Sequence, residues 1–402
     1  MHILNSSVRV TSAVDTIRKA EKISRKLGIT RVTDITRLDF LGMPVFASIR
    51  PTGKVLCVHN GKGVLAEEAK AGAYMEAIEF ACADPENSSV KWDKASYQEI
   101  IDDLPDGVKL TDFCFRVNRS CNPISEVIYV TAKDILTGDD IKLPEELFFL
   151  PSLTPKEDIV FGFSTNGLAS GNTLLEATIH AVCELIERDT MSFDKVEDKS
   201  YFIDPLDLTD DLKSLYEKVE NSGLSLCLRY LKNEFDIPVF KAYIFEKSSE
   251  NYCSAAHGCG AHPIKSIAAA RAITEAIQSR LTAIHGGRDD LVDQYIKYSN
   301  LSPSDKEYYY DKLKLLHFSK DNSLKYQEIK CESGNIFSIE SLWMVIEKKL
   351  KINGFKNIYR VIHYESSDFA IVKIVIPKME HFEAYAKRIG PRLWEKLQLK
   401  KL

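Results

Sequence analysis

Apolar residues recur at helical spacing near the N-terminus, at Val14, Ile17, Ala20, Ile23 and Leu27, with charged residues between them. Gly28 follows as a stop, so the spacing predicts a helix over 13–27. Pro44–Arg50 reads as a strand and Lys54–Val58 as a second, short one, with Asn60-Gly61-Lys62-Gly63 as a turn. Small and apolar positions then predict a helix over 66–83, ended by the polar run 84–89. Residues 100–160 read as strands and loops, with turns at 103–107 and 137–140. A Gly/Asn-rich turn at 165–172 precedes a long helix reaching about Arg188. Strands at 226–230 and 239–244 lead to a third glycine-rich turn, 257–263, and a helix to about Ile284. Residues 286–326 are polar and tyrosine-rich, read as loop and short helices. The end is predicted as a helix (338–352), strands (357–363 and 369–376) and a last helix near 380–388. Strands interspersed with helices give an α/β (α+β) class. No low-complexity linker interrupts the chain, so one large domain is the simplest reading, with an N-terminal helix-strand segment, 1–54, packed on the core, 55–402.

With 45% hydrophobic and 28% charged residues, a disordered, collagenous or coiled-coil chain is excluded. The formal charge of −5 gives no general attraction to nucleic acid or to an anionic membrane. No apolar run reaches the ~20 residues that span a bilayer, and residues 1–7 lack a signal pattern, so a cytoplasmic location is the expectation. The nine cysteines are odd in number and form no C-x-x-C pair, which argues against a zinc knuckle and for buried thiols in a reducing compartment.

Three of the predicted helices share one chemical pattern. Glu76-Ala77-Ile78-Glu79, Glu184-Leu185-Ile186-Glu187-Arg188 and Glu275-Ala276-Ile277-Gln278 each place two acidic or amide groups three residues apart, hence on one helical face. Glu176, His180, Glu184 and Glu187 run along one stripe, as do Arg271, Glu275 and Gln278. Any one pair suits the solvated face of an amphipathic helix. Three in succession, each after a glycine-rich segment, suit magnesium with phosphate oxygens. Lys62, Lys70, Arg188, Arg271 and Arg280 then neutralise phosphate or pair with the carboxylates. No Glu-x-x-His pair supports a di-iron bundle, and no G-x-x-x-x-G-K-[ST] loop supports a P-loop. A glycosidase carboxylate pair stays open, because nothing sets its separation. His180 and His262 are candidate bases, although a hydrogen-bonded core histidine is the commoner case.

In order along the chain, these motifs resemble the YcaO family. Thr30–Asp39 with Pro44-Val45 and Arg50-Pro51 is similar to its opening. Asn60–Gly63, Ala69–Ala71 and Glu76–Glu79 resemble its first nucleotide motif. Asn166–Asn172, Glu176-Ala177, His180 and Glu184–Asp189 resemble the second. Gly258-x-Gly260-Ala261-His262-Pro263, Arg271-Ala272, Glu275–Arg280 and Arg288–Asp290 resemble the third. Ile374–Pro377 with Glu380 resembles the closing strand-Pro-x-x-Glu.

The resemblance implies a YcaO-like fold, with sheets and helices around an ATP site lined by three acidic helices. It implies ATP- and magnesium-dependent phosphorylation of a peptide backbone amide oxygen after a nucleophile attacks the carbonyl. Phosphorylation turns a poor leaving group into phosphate. By position, Glu76, Glu184 and Glu187 would hold magnesium. Lys70, Glu79, Asn172, Glu176, Arg188, Arg271, Glu275, Gln278 and Arg280 would contact nucleotide. No catalytic base is assigned. The chain departs from the family pattern at Gly72, usually Ser, and at Phe80, usually Arg. Its ending, Glu395–Leu402, is not proline-rich, and no fused peptide-recognition domain is expected at its start. Both features resemble the branch outside the partnered cyclodehydratases. The first expectation is therefore thioamide formation with a sulfur donor and a TfuA-like or leader-peptide-binding partner. Standalone azoline or amidine formation in ribosomal peptide biosynthesis is second, and a non-catalytic, peptide-recruiting role is third. The other partners expected are a peptide or protein substrate and a second copy in a homodimer, with no nucleic acid and no membrane.

Overall fold

The computed structural model describes residues 2–3, 7–247 and 251–399. Four positions of the N-terminal stretch read for a signal, 1 and 4–6, and the last three of the C-terminal tail lie outside them. The elements begin with β1 (His2–Ile3), β2 (Val8–Arg9), α1 (Ala13–Ser24), β3 (Arg31–Asp34), β4 (Val45–Ile49), β5 (Val58–Lys62) and α2 (Ala66–Ala83). Next come β6 (Trp92–Ser96), α3 (Tyr97–Asp103), β7 (Glu126–Asp134), β8 (Asp140–Pro144), β9 (Leu168–Gly171), α4 (Leu174–Asp194), β10 (Tyr201–Phe202) and α5 (Asp210–Asn221). The chain continues with β11 (Ser225–Tyr230), β12 (Val239–Phe245), β13 (Ala255–Ala261), α6 (Lys265–His285), α7 (Val292–Ser299) and α8 (Pro303–Phe318). It ends with α9 (Ile339–Ile352), β14 (Tyr359–Glu365), β15 (Ala370–Val375) and α10 (Pro391–Leu399). The α/β (α+β) class holds, and the named strands pair antiparallel throughout.

Two compact units emerge. The first comprises residues 1–78 and 199–345, the second 79–198 and 346–402. The boundary expected at 54/55 falls inside the first. In the first unit, β3-β4-β5 and β10-β11-β12-β13 form two sheets. Its core joins Val45, Ala47 and Val58 to Leu226, Leu228, Phe240, Ala242 and the inward face of α6, from Ala268 to Leu281. In the second unit, one sheet runs β6-β7-β14-β15-β9, with β8 also on β7. Its core gathers Ile100, Phe113, Val130, Leu143, Phe148, Phe149, Phe161 and Tyr359.

The predicted helices at 66–83 and 338–352 and the strands at 226–230 and 239–244 form almost as expected. The glycine-rich segments do not. Asn60–Lys62 belongs to β5, Leu168–Gly171 forms β9, and Ala255–Ala261 forms β13. Each glycine is required by the helix that follows its strand. A Cβ on Gly61 would meet Ala73 N at 2.1 Å, one on Gly171 Ala177 N at 2.2 Å, and one on Gly258 Ala276 N at 2.2 Å. The repeated unit is thus a strand lying against helix backbone. The short strand expected at 54–58 is displaced to 58–62 for the same reason. Helix α4 continues six residues past Arg188, and α8 is a 16-residue helix where short pieces were expected.

The last predicted helix, near 380–388, is absent. Glu380 accepts Gly390 N and Leu393 N at 2.8 and 2.9 Å, and Glu383 and Arg388 bond through their backbones. That closes a loop, and the helix starts instead at Pro391, where proline's fixed φ and missing donor cost nothing.

Candidate functional site

The expected site residues fall into two sets, one in each unit. In the first unit, α2 carries Glu76 and α6 carries Arg271, Glu275, Gln278 and Arg280, while β5 brings Asn60 and Lys62. Lys62 Nζ pairs with Glu275 Oε2 at 2.6 Å, and Glu275 Oε1 accepts Cys259 N from β13 at 3.4 Å. Gln278 Nε2 donates to Asn60 O at 3.1 Å. Burial pushes the Glu76 carboxyl up to about 7, opposed by Arg288, by Lys62 and by a backbone hydrogen bond from Asn60. Both polar atoms of the Asn60 side chain are buried with no protein partner. This set is therefore a polar cluster: the carboxylates of Glu76 and Glu275, the cations Lys62 and Arg288, and an Asn60 amide buried without a protein partner.

Lys70 and Arg280 are engaged elsewhere. Lys70 Nζ bonds Glu21 at 3.2 Å on the face that α1 covers. Arg280, 2% exposed, donates to both oxygens of Asp39 at 2.8 and 3.1 Å, to Glu246 at 2.5 Å and to Cys253 O at 2.9 Å. That guanidinium holds the unit's interior together. His262 is buried, and burial with Arg271 and Arg9 nearby pushes its imidazole down to about 3. Its Nδ1 accepts Ile264 N at 3.0 Å, so it shapes the entry to α6 as a neutral ring.

In the second unit, Glu79 Oε1 accepts the Ser170 N–H at 2.8 Å and its hydroxyl at 2.5 Å, joining the C-terminal part of α2 to β9. Thr173 caps α4 by accepting Glu176 N at 3.2 Å. Glu176 Oε1 in turn accepts Asn172 N and Nδ2 at 3.2 and 3.0 Å. The Asn172–Glu176 bonds close this cap and fix both side chains at the positive end of the α4 dipole. Farther along α4, Arg188 Nε lies 3.8 Å from Glu184 Oε1, and Glu187 is 4% exposed. Beside them on β15 is Lys373, 2% exposed, which donates to Ser164 O and Asn166 O at 2.5 and 2.6 Å. Burial lowers its proton affinity, and the Glu184 carboxylate partly restores it.

Among the described residues, no three His, Cys, Asp or Glu side chains group closely enough to hold a metal alone. Magnesium needs no such group: it uses one or two carboxylates, keeps several waters and takes phosphate oxygens. The all-oxygen donors here fit that ion. Sequence reasoning left Asn60, Arg288 and Lys373 without a role. The signals were present for Asn60 in the first glycine-rich segment and for Arg288 after the third motif. Nothing local marks Lys373.

A model of the "YcaO cyclodehydratase", described as ATP- and Mg2+-binding, matches residues 60–380. The chain belongs to the YcaO family. An uncharacterized protein of Methanothermobacter thermautotrophicus is 29% identical over 91% of this chain and 94% of its own length. An uncharacterized protein in the tfuA 3′ region of Rhizobium leguminosarum bv. trifolii is 36% identical over 66% of this chain and 65% of its own length. The solved YcaO of Methanopyrus kandleri, bound with AMPPCP and Mg2+, superposes with a TM-score of 0.74 at 21% identity, covering 97% of both chains. A heterocyclase in complex with substrate and cofactor gives 0.77 at 18% identity, covering 100% of this chain and 57% of its own. At those identities the structures establish the YcaO fold. The two departures from the YcaO pattern have packing reasons. A Cβ on Gly72 would stand 3.3 Å from Gly61 Cα, and Phe80 is a buried core side chain. Among the described residues, no helix is long and apolar enough to cross a membrane.

Proposed function

We propose that this protein phosphorylates the backbone amide oxygen of a peptide or protein, using ATP and magnesium, and that it makes a thioamide with a sulfur donor and a TfuA-like partner. The observation that carries the ATP reading is the α4 N-terminus: Thr173, Asn172 and Glu176 form a closed hydrogen-bonded cap. It is followed on the same helix by Glu184, Glu187 and Arg188. Glu184 and Glu187 in the second unit, and Glu76 in the first, are the carboxylates that would be offered to magnesium, and the ion would screen phosphate charge. Glu79, Asn172, Glu176, Arg188, Arg271, Glu275 and Gln278 position nucleotide. Lys70 and Arg280 were expected to join them. Their engagement with Glu21, Asp39 and Glu246 favours a supporting role for both. The relative in a tfuA 3′ region supports sulfur as the incoming atom. The fold shared with a heterocyclase supports azoline formation as the second reading.

Calorimetric titration with ATP in magnesium tests the first step. Saturable binding and ATP consumption are expected for the wild type, and both are expected to vanish in Glu184→Gln and Glu187→Gln with the fold intact. Unchanged turnover in both variants would sink the proposal. Mass spectrometry of modified peptides separates the outcomes: oxygen-for-sulfur exchange marks thioamidation, and loss of water marks cyclisation. Peptide binding without ATP turnover would mark a recruiting role.

A further inference from the structure

The chain is acidic overall, yet residues 18–37 carry seven basic side chains against two acidic ones, Glu21 and Asp34. Arg25, Lys26, Arg31 and Arg37 are all exposed and make no ion pair among the described residues. They flank and occupy β3, the outer strand of the β3-β4-β5 sheet. Among the described residues strand β3 pairs only with β4, in the register Arg31↔Ile49 to Asp34↔Phe46, and Ile35 N donates to Val45 O at 3.0 Å. By the alternation of an antiparallel ladder, the N–H and C=O of Val32 and Asp34 face away from β4, on the side of β3 that no other strand occupies among the described residues. The acid on this strand is turned back, with Asp34 Oδ1 accepting Thr36 N at 2.8 Å. Just past the strand, Leu38 and Phe40 are 52% and 65% exposed.

A basic residue on a strand edge commonly serves only to repel other edges. One arginine would do that. Four unpaired cations, unmet backbone donors and acceptors, and two exposed apolar side chains form a recognition surface. An extended chain supplies the complementary backbone groups, and acidic side chains supply the charge. Nucleic acid answers the charge alone and leaves the strand edge without a partner. We propose that β3 is a docking edge for an extended acidic segment of a peptide, which adds to this sheet as a fourth strand. The inference is independent of nucleotide use, so it can fail while the ATP reading stands, and the reverse.

The test is fluorescence anisotropy on the full chain without ATP, with a labelled peptide alternating glutamate and valine. Controls are its alternating lysine counterpart, the acidic peptide N-methylated along one edge, and a single-stranded RNA of equal charge. Salt-sensitive binding of the acidic peptide is expected. Arg31→Glu with Arg37→Glu should weaken it about tenfold or more. Val32→Pro, which removes an outward donor at a tolerated edge position, should weaken it about threefold or more. N-methylation should do the same, and that arm decides should Val32→Pro not fold. Absence of binding would overturn the proposal. So would equal binding by the lysine peptide, tighter binding of RNA, or indifference to both backbone blocks.

Discussion

Gly258→Ala is the sharpest test of how the first unit places its site residues. The new Cβ would stand 2.2 Å from Ala276 N, 2.5 Å from Glu275 C and 2.6 Å from Ala272 O. These are helix backbone atoms, with no side-chain end to swing aside. Ordinary contact begins at 3.4 Å, so β13 and α6 must separate by about 1.2 Å at this point. Separation loosens α6 from the core residues that cover it, Ala268, Ala272, Ile273 and Ala276 among them. Overpacking of this kind costs about 1–3 kcal/mol and sometimes more; three backbone contacts place this case at roughly 3 kcal/mol or above. The same movement carries Glu275 and Gln278 away from Lys62 and Asn60. A displacement near 1 Å in a positioning element can cost about a hundredfold in rate. Urea unfolding and ATP turnover read the two effects. Gly334→Ala is the control, since its Cβ would meet nothing within 4 Å. If Gly258→Ala unfolds like that control and keeps its turnover, the close strand-helix approach does not set the site.

Arg280→Met should be severely destabilising, by about 3–5 kcal/mol, because it strands the buried Asp39 carboxylate and removes the partner of Glu246. Denaturant unfolding measures this, and an equally stable variant with weakened ATP binding would return Arg280 to direct nucleotide contact. His363 is fully buried on β14 with Ser88 Oγ 2.8 Å from Nδ1, and burial pushes its imidazole down to about 3. The folded protein keeps it neutral while the unfolded chain takes up a proton below about pH 6.5, so its contribution to stability is present above that pH and lost as pH falls. His363→Gln should flatten the decline by about 1.4 kcal/mol per pH unit between pH 6 and 4.5. Parallel urea-stability profiles for the two proteins would refute the assignment.

Local physics made much of this protein readable. Helices α4 and α6 repeat an apolar and small-residue face every three to four positions, a period set by backbone geometry alone, and α2 is rich in small, strongly helix-forming residues throughout. The paired Glu-x-x-Glu and Glu-x-x-Gln groups sit on those same turns, so the chemistry and its order along the chain were visible before any folding. The glycine-rich segments were misread because glycine serves a turn and a close packing contact equally well. Only the approach of a helix backbone to Gly61, Gly171 and Gly258 distinguishes the two. The loop at 380–388 replaced a predicted helix because Glu380 found its partners at Gly390 and Leu393, and no periodicity encodes such a contact. Likewise Lys62 meets Glu275 across 213 positions of sequence, and Arg280 reaches Asp39 across 241. Residue type announced a cation in each case. Whether it faces a carboxylate of the candidate site or holds the interior together depends on which strands pair, and that is settled only when the whole unit buries its core.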